Sequence, residues 1–349
     1  MCLCVFFCIF VAVMVSYDVD VSVLLLFHAR ADHFAKVWEQ VRRARPARLF
    51  LYQDGPRGEG DMAGIRACRE LVDDANIDWD CEVHRFYQSR NFGCDPSEFI
   101  SQRWAFSMTD KCVVLEDDDV PSLSFFSFCK EMLDRYEHDE RVTMIAGFNT
   151  DEFTECGGDS YFFSRAFSIW GWASWARVVN AWDGEYGFVR DEGVWRVLCE
   201  KAKSYGQRGE MLRMCREHAG TGKEYYETIF WAYMMLHDGL AVFPRVNMIN
   251  NIGLEGGTHY ATCLDLMPGR LRAQFVMGRH ELDFPLVHPD VVAESPGYQQ
   301  RWYLRNGWNN PWRKVEYSLE ELWLNLRHGN FGFILRAVGK RIAKTWRNL

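Results

Sequence analysis

Val21 to Phe27 (VSVLLLF) is a near-continuous apolar run of strand length, the pattern of a strand buried on both faces. Residues 33–44 follow with helical spacing of Phe34, Val37, Trp38 and Val41. Arg48 to Tyr52 reads as a second strand, closed by the turn Asp54-Gly55-Pro56-Arg57, and residues 61–75 as a second helix through Ile65, Cys68, Leu71 and Val72. Trp79 to Phe86 gives a third strand and Ser97 to Phe106 a third helix. Lys111 to Leu115 (KCVVL) gives a fourth strand that runs directly into Glu116-Asp117-Asp118-Asp119. Strands alternating with helices over about a hundred residues predict an α/β fold, a mostly parallel sheet flanked by helices. Ligands in such sheets bind beyond the carboxyl ends of the strands. The polar residues fall there: His28-Ala29-Arg30, Asp54, Arg90-Asn91-Phe92-Gly93 and the acidic run.

No linker rich in Pro, Gly or Ser divides residues 20–290, and there is no internal repeat. The expected organisation is an apolar leader at 1–15, one domain at 16–290 and a C-terminal helical extension at 291–349. The leader is shorter than a spanning helix, and no Lys or Arg precedes Arg30 as a signal peptide would require. Two readings stay open for it: sequence ahead of the true start, or a short anchor. The twelve cysteines are scattered without a CxxC pair, which points to reduced thiols and a cytoplasmic setting.

At 349 residues, 48% hydrophobic and 25% charged, the chain is globular, and a net charge of -8 argues against nucleic acid as a partner. The charge is uneven: from Pro296 onward ten Lys/Arg face three Glu. Phe331, Ile334, Leu335, Val338 and Ile342 share one side of a helical pattern, after an amphipathic set at Leu319, Leu322, Trp323 and Leu326. A basic amphipathic tail can lie on an anionic membrane surface or dock on the main domain, and the sequence leaves both open.

Four carboxylates in a row at a strand end repel one another, so the run is costly without a cation. Hard ions such as Mn2+ or Mg2+ take carboxylate oxygens and leave positions for phosphate. A solvated loop is the other reading, with Ser122 or Ser124 capping the next helix. A phosphatase-type Asp-x-Asp nucleophile is disfavoured, because Pro121 stands where that pattern carries Thr or Val.

The segments FHARADH (27–33), DGPR (54–57), RNFGC (90–94), VVLEDDDVPSLSFFSF (113–128), YFFSRAFSIWGWASW (161–175) and NMINNIGLEGGTH (247–259) occur in an order that resembles the nucleotide-diphospho-sugar transferases of the glycosyltransferase family 2-like group, with a GT-A fold. The resemblance spans roughly residues 20–290. It implies a metal-dependent glycosyltransferase that moves a sugar from a nucleotide-diphosphate-sugar donor to a saccharide or glycolipid acceptor, in surface polysaccharide or glycan assembly. On this likeness Asp118 and Asp119 are metal ligands, with His259 completing the shell. His28, Arg30, Asp54, Arg90, Gly93, Glu116 and Asp117 contact the donor. Relatives tend to carry Asn-Arg-Pro where this chain has His28-Ala29-Arg30, and an uncharged residue at the place of Asp119. That leaves the register of the motif open by one. Gly256 and Gly257 suit a lid over the donor.

An inverting transferase needs a base at the acceptor hydroxyl. Glu227, which opens the apolar helical stretch in KEYYETIFWAYMMLHDGL, is the candidate, with Glu224 as a rival. Relatives carry Asp there. Trp170 and Trp172, in Trp170-Gly171-Trp172, are candidates for an acceptor wall, since Trp faces bury apolar sugar faces; core packing is the other reading. The alternatives to catalysis are a binding protein that keeps the fold without turnover, and a nucleotidyltransferase. The latter wants a Gly-rich phosphate loop after the first strand, and FHARADH has no glycine.

Overall fold

The computed structural model describes residues 19–254 and 264–334. The leader at 1–15, Gly256, Gly257, His259 and the tail positions from Leu335 onward lie outside the described residues.

The alternation seen in the sequence builds one edge of an eight-stranded sheet. Strands β1 (Ser22–Phe27), β2 (Arg48–Gln53), β3 (Glu82–Tyr87) and β4 (Lys111–Glu116) lie in the order β3-β2-β1-β4, all parallel. Their centres are continuous apolar runs because both faces are covered: Val23 to Leu25, Leu49 to Leu51 and Val113 to Leu115 are all but fully buried. Helix α1 (Ala31–Ala44) covers one face with Phe34, Val37, Trp38 and Val41; α2 (Met62–Leu71) and α3 (Cys94–Phe106) complete the crossovers. The third strand starts at Glu82 rather than Trp79, because the Trp79 indole turns aside to donate to the Pro46 carbonyl at 2.9 Å.

Beyond β4 the sheet becomes mixed. A short β5 (Asp119–Pro121) leads into α4 (Leu123–Arg135) and β6 (Val142–Ala146); β7 (Tyr161–Ser164) and β8 (Trp172–Trp175) follow. Strand β8 sits antiparallel between β4 and β6. Next comes β9 (Leu240–Pro244), parallel to β6, and β7, antiparallel to β9, forms the other edge. Between β8 and β9 run α5 (Ala176–Val179), α6 (Gly187–Arg190), α7 (Glu192–Lys201), α8 (Leu212–Ala219) and α9 (Tyr226–Leu236). Then β10 (Ile249–Asn251) pairs antiparallel with β5 in a second, two-stranded sheet, which pins the end of the acidic run against Asn251. This is the expected α/β class, with antiparallel strands in its second half.

Helix α4 shows a cap invisible in local sequence. Ser122 occupies the cap position but its side chain makes no capping bond; instead the Glu281 carboxylate accepts from the backbone N–H of Leu123 at 3.0 Å and of Ser124 at 2.7 Å.

The C-terminal part comprises α10 (Gly269–Phe275), α11 (Pro296–Arg305) and α12 (Pro311–Arg327). Helix α11 is built into the main body: Tyr298 is fully buried against Phe162 and Phe243, and Arg301 and Arg305 pair with Asp151. Trp308, just after it, packs directly on Gly206, where any Cβ would meet the indole at 1.9 Å. The described residues contain no helix long and apolar enough to cross a membrane, and their cysteines are free.

Candidate functional site

The carboxyl ends of β1 to β4 open onto a cavity of about 390 Å³. Its lining includes His28, Arg30, Asp54, Gly93, Glu116 and Asp117, six of the residues expected at a donor site. Arg90 is not among them; its guanidinium stacks on the Phe92 ring, 4.6 Å from the centroid. Its backbone matters instead, since it presses on Gly55 so closely that a Cβ there would meet it at 2.4 Å.

Asp54 shapes this cavity through its neighbours. Its buried carboxylate accepts from the backbone N–H of Gly55 at 2.8 Å, Phe92 at 2.9 Å and Gly93 at 3.0 Å, and from the Asn91 side chain at 2.7 Å. A carboxylate so occupied fixes the loop after β3, and with it the position of Gly93 at the start of α3. His28 accepts no such load: its Nε2 lies 3.0 Å from the Gly55 carbonyl and 3.8 Å from the Asp61 carboxylate.

The acidic run divides by position. Asp117 and Asp118 both meet the Arg30 guanidinium; the contact to Asp118 is 2.7 Å, and Asp117 also accepts from the His28 backbone N–H at 3.4 Å. Asp118 further accepts from Asn251 at 3.2 Å, and Gly253 lies against its other oxygen, where a Cβ would come within 2.0 Å. Asp119 points into the protein. It is 1% exposed and accepts from the Gly171 backbone N–H at 2.9 Å and from Asn251 at 3.1 Å. Pairing of β5 with β10 turns it away from the cavity, so it anchors the small sheet and Gly171 rather than facing a ligand. Burial raises Glu116 and Asp119 well above the usual carboxylate range, with repulsion from neighbouring carboxylates adding to it; Arg30 offsets part of the same rise at Asp117.

A second, larger cavity of about 770 Å³ is lined in part by α3 and α9. Glu227 lines it, beside Asp95, Tyr225 and Trp231, and its far wall comes from the C-terminal helices through Trp302, Trp308 and Tyr317. The two cavities meet at carboxylates. Asp95, Glu98 and Glu227 bring their oxygens within 4.8 Å of one another; Glu98 also lines the first cavity, and Asp95 and Glu227 line the second. Among the described residues this trio is the set of three carboxylates whose oxygens lie within 4.8 Å of one another. Oε2 of Glu98 and Oε2 of Glu227 are both buried without a hydrogen-bond partner. Burial, then repulsion from Glu227, holds the Glu98 carboxyl well above its ordinary range; burial, with Asp95 adding, pushes Glu227 up to about 7. The sequence singled out Glu227 but gave no signal for Asp95 or Glu98, whose only mark is a four-residue walk around the first turns of α3.

The two tryptophans differ from their expected place. Trp172 is 1% exposed and lies in the core, ringed by Phe106, Trp182, Tyr226 and Phe230, because β8 carries it into the middle of the sheet. It offers no face to an acceptor. Trp170 is half-buried against Phe148 and Phe275, outside the lining of the large cavity. The aromatic wall facing Glu227 is Trp231, Trp302 and Trp308.

The oxygen donors of Asp117 and Asp118 form a hard, anionic set, and Arg30 is the cation bonded to both. Gly253 leaves open the side of Asp118 that a Cβ would fill. These features fit a hard divalent ion such as Mn2+ or Mg2+.

Parallel βα units, an antiparallel strand set between β4 and β6, and an acidic strand end feeding a small second sheet are consistent with a GT-A-like α/β fold. No protein-family model and no curated protein matches it. Among solved structures it is similar to a putative glucose-1-phosphate thymidylyltransferase from Bacillus anthracis, at 8% identity and TM-score 0.32 over 67% of this chain and 90% of that one. Mouse xyloside xylosyltransferase 1 gives 12% identity and TM-score 0.34, over 64% and 84%. The glycosyltransferase GlyE of Streptococcus pneumoniae TIGR4 gives 10% and 0.32, over 89% and 64%. At such scores the likeness carries no argument about this chain's chemistry.

Proposed function

We propose that this protein is a metal-dependent, inverting glycosyltransferase. It takes a nucleotide-diphosphate-sugar into the cavity at the ends of β1 to β4 and a saccharide or glycolipid acceptor into the cavity beside Glu227. The observation that carries the reading is the meeting of the two cavities at Glu98 and Glu227, so that a donor on one side and an acceptor on the other would touch at a buried carboxylate.

Asp118, with Asp117 beside it, would hold Mn2+ or Mg2+, and His259 is proposed as a further ligand. When bound, the cation offsets charge on the departing nucleoside diphosphate. Asp119 is left out of this set because the pairing of β5 with β10 turns it into the protein, onto the Gly171 backbone. Arg30, which lines the same cavity, would offer its guanidinium to a donor phosphate. Asp54 holds the loop of Asn91 to Gly93 in the shape that receives the nucleotide.

Glu227 takes the acceptor proton. A carboxyl poised near 7 is a stronger base than an ordinary carboxylate and is still largely ionised slightly above neutrality. The dry surroundings maintain that poise, with the Asp95 carboxylate adding negative charge beside it. Asp118→Ala should abolish metal-dependent donor binding measured by calorimetry. Unchanged affinity would remove Asp118 from the site.

A further inference from the structure

Helix α12 has two unlike faces. Lys314, Tyr317, Ser318 and Glu321 turn inward and line the large cavity that holds Glu227. Trp312, Val315, Leu319, Leu322, Trp323 and Leu326 turn outward and are exposed, Trp312 at 71%, Leu319 at 60% and Trp323 at 54%. At about 100° per residue these six fall within an arc of about 100°, opposite the cavity face. Phe331, just beyond the helix, is exposed as well. Six large apolar side chains in one stripe exceed the scattered exposure of ordinary surfaces and mark a face that meets something.

Charge selects what it meets. Residues 335–349 carry Arg336, Lys340, Arg341, Lys344 and Arg347 with no Asp or Glu. An apolar stripe followed directly by a run of cations is the composition that settles at an anionic lipid surface, with the apolar side chains below the headgroups and the cations among them. A second copy of this chain would bring the same positive charge against itself.

We propose that α12 seats the protein on an anionic membrane, its outer face in the lipid and its inner face forming the wall of the acceptor cavity. The cavity then opens at the level of the headgroups, which suits a saccharide carried on a lipid. This rests on the glycosyltransferase reading for the identity of the cavity, while the membrane contact stands on the apolar stripe of α12 and the cationic sequence after it.

The test uses the full chain and vesicles of phosphatidylcholine with about 30% phosphatidylglycerol, read by flotation, against phosphatidylcholine alone. The full chain should float with the anionic vesicles and release at high salt. The double variant L319E/W323E should bind roughly tenfold more weakly or worse, with an unchanged circular dichroism spectrum. Absence of binding by the full chain overturns the proposal, as does equal binding by the variant, which would place the contact elsewhere in the chain. A dimer that the variant dissociates, without vesicle binding, assigns the face to a second copy and also overturns it. Thermal stabilisation by nucleotide-sugar with Mn2+, measured on the same samples, keeps the two readings apart: intact donor binding without vesicle binding sinks only the membrane contact.

Discussion

Glu227→Gln separates the cost of an active-site carboxylate from its use. Raising the Glu227 carboxyl from its ordinary 4.5 to about 7 means that the ionised form is disfavoured in the folded protein by about 3 kcal/mol, at about 1.4 kcal/mol per decade of proton affinity. The sign follows from linkage. Below pH 4.5 the group is protonated in both folded and unfolded chains, and no cost arises. Between about 4.5 and about 7 the unfolded chain releases its proton while the folded one keeps it, so stability falls as pH rises. Above about 7 the full cost is present. Glutamine carries no charge, so Glu227→Gln should match the parent near pH 4 and exceed it by up to about 3 kcal/mol at pH 8. Urea unfolding at both pH values measures this directly. Transfer should fall by about 10²–10⁴-fold in the same variant, with donor affinity unchanged. A stability difference that does not change with pH would refute the buried-charge argument, and full activity would move the base elsewhere.

Other substitutions test other parts of the site. Asp54→Ala removes the acceptor of four N–H groups and should cost about 2–4 kcal/mol in urea unfolding while weakening donor binding more than it slows turnover. Gly253→Ala pushes a methyl group against Asp118 and should reduce Mn2+-dependent donor binding with little loss of Tm, read by calorimetry and scanning fluorimetry. Trp172→Ala should destabilise by about 3–5 kcal/mol in urea unfolding, the cost of a core cavity. Trp302→Ala, on the cavity wall, should instead raise the KM for acceptor with the fold intact, measured by steady-state kinetics.

The first half of the fold was legible because its signal is local. Strands buried on both faces read as VSVLLLF and KCVVL, and α1 shows its buried stripe in Phe34, Val37, Trp38 and Val41. The acidic run could be recognised as unusual on charge alone. Its internal division could not: Asp119 differs from Asp118 because pairing with β10, about 130 residues later, turns it inward onto the Gly171 backbone N–H. The same holds for Trp172, which sequence spacing groups with Trp170 and which the antiparallel insertion of β8 sends into the core. Asp95 and Glu98 carry no motif at all; they matter because α3 and α9 pack so that Glu227 arrives beside them. The tail was read from its amphipathic pattern, but whether its apolar stripe meets protein or solvent depends on how α12 packs beside α11 with its other face to the cavity.

The central claim is that the cavity at the strand ends takes a nucleotide-sugar together with a divalent cation. The most direct measurement is thermal stabilisation of the full chain by UDP-, GDP-, dTDP- and CMP-sugars, each with Mn2+ and with EDTA. The account predicts a shift for one nucleotide that vanishes with EDTA and is absent in Asp118→Ala. A shift that persists in EDTA, or none for any nucleotide, would contradict it.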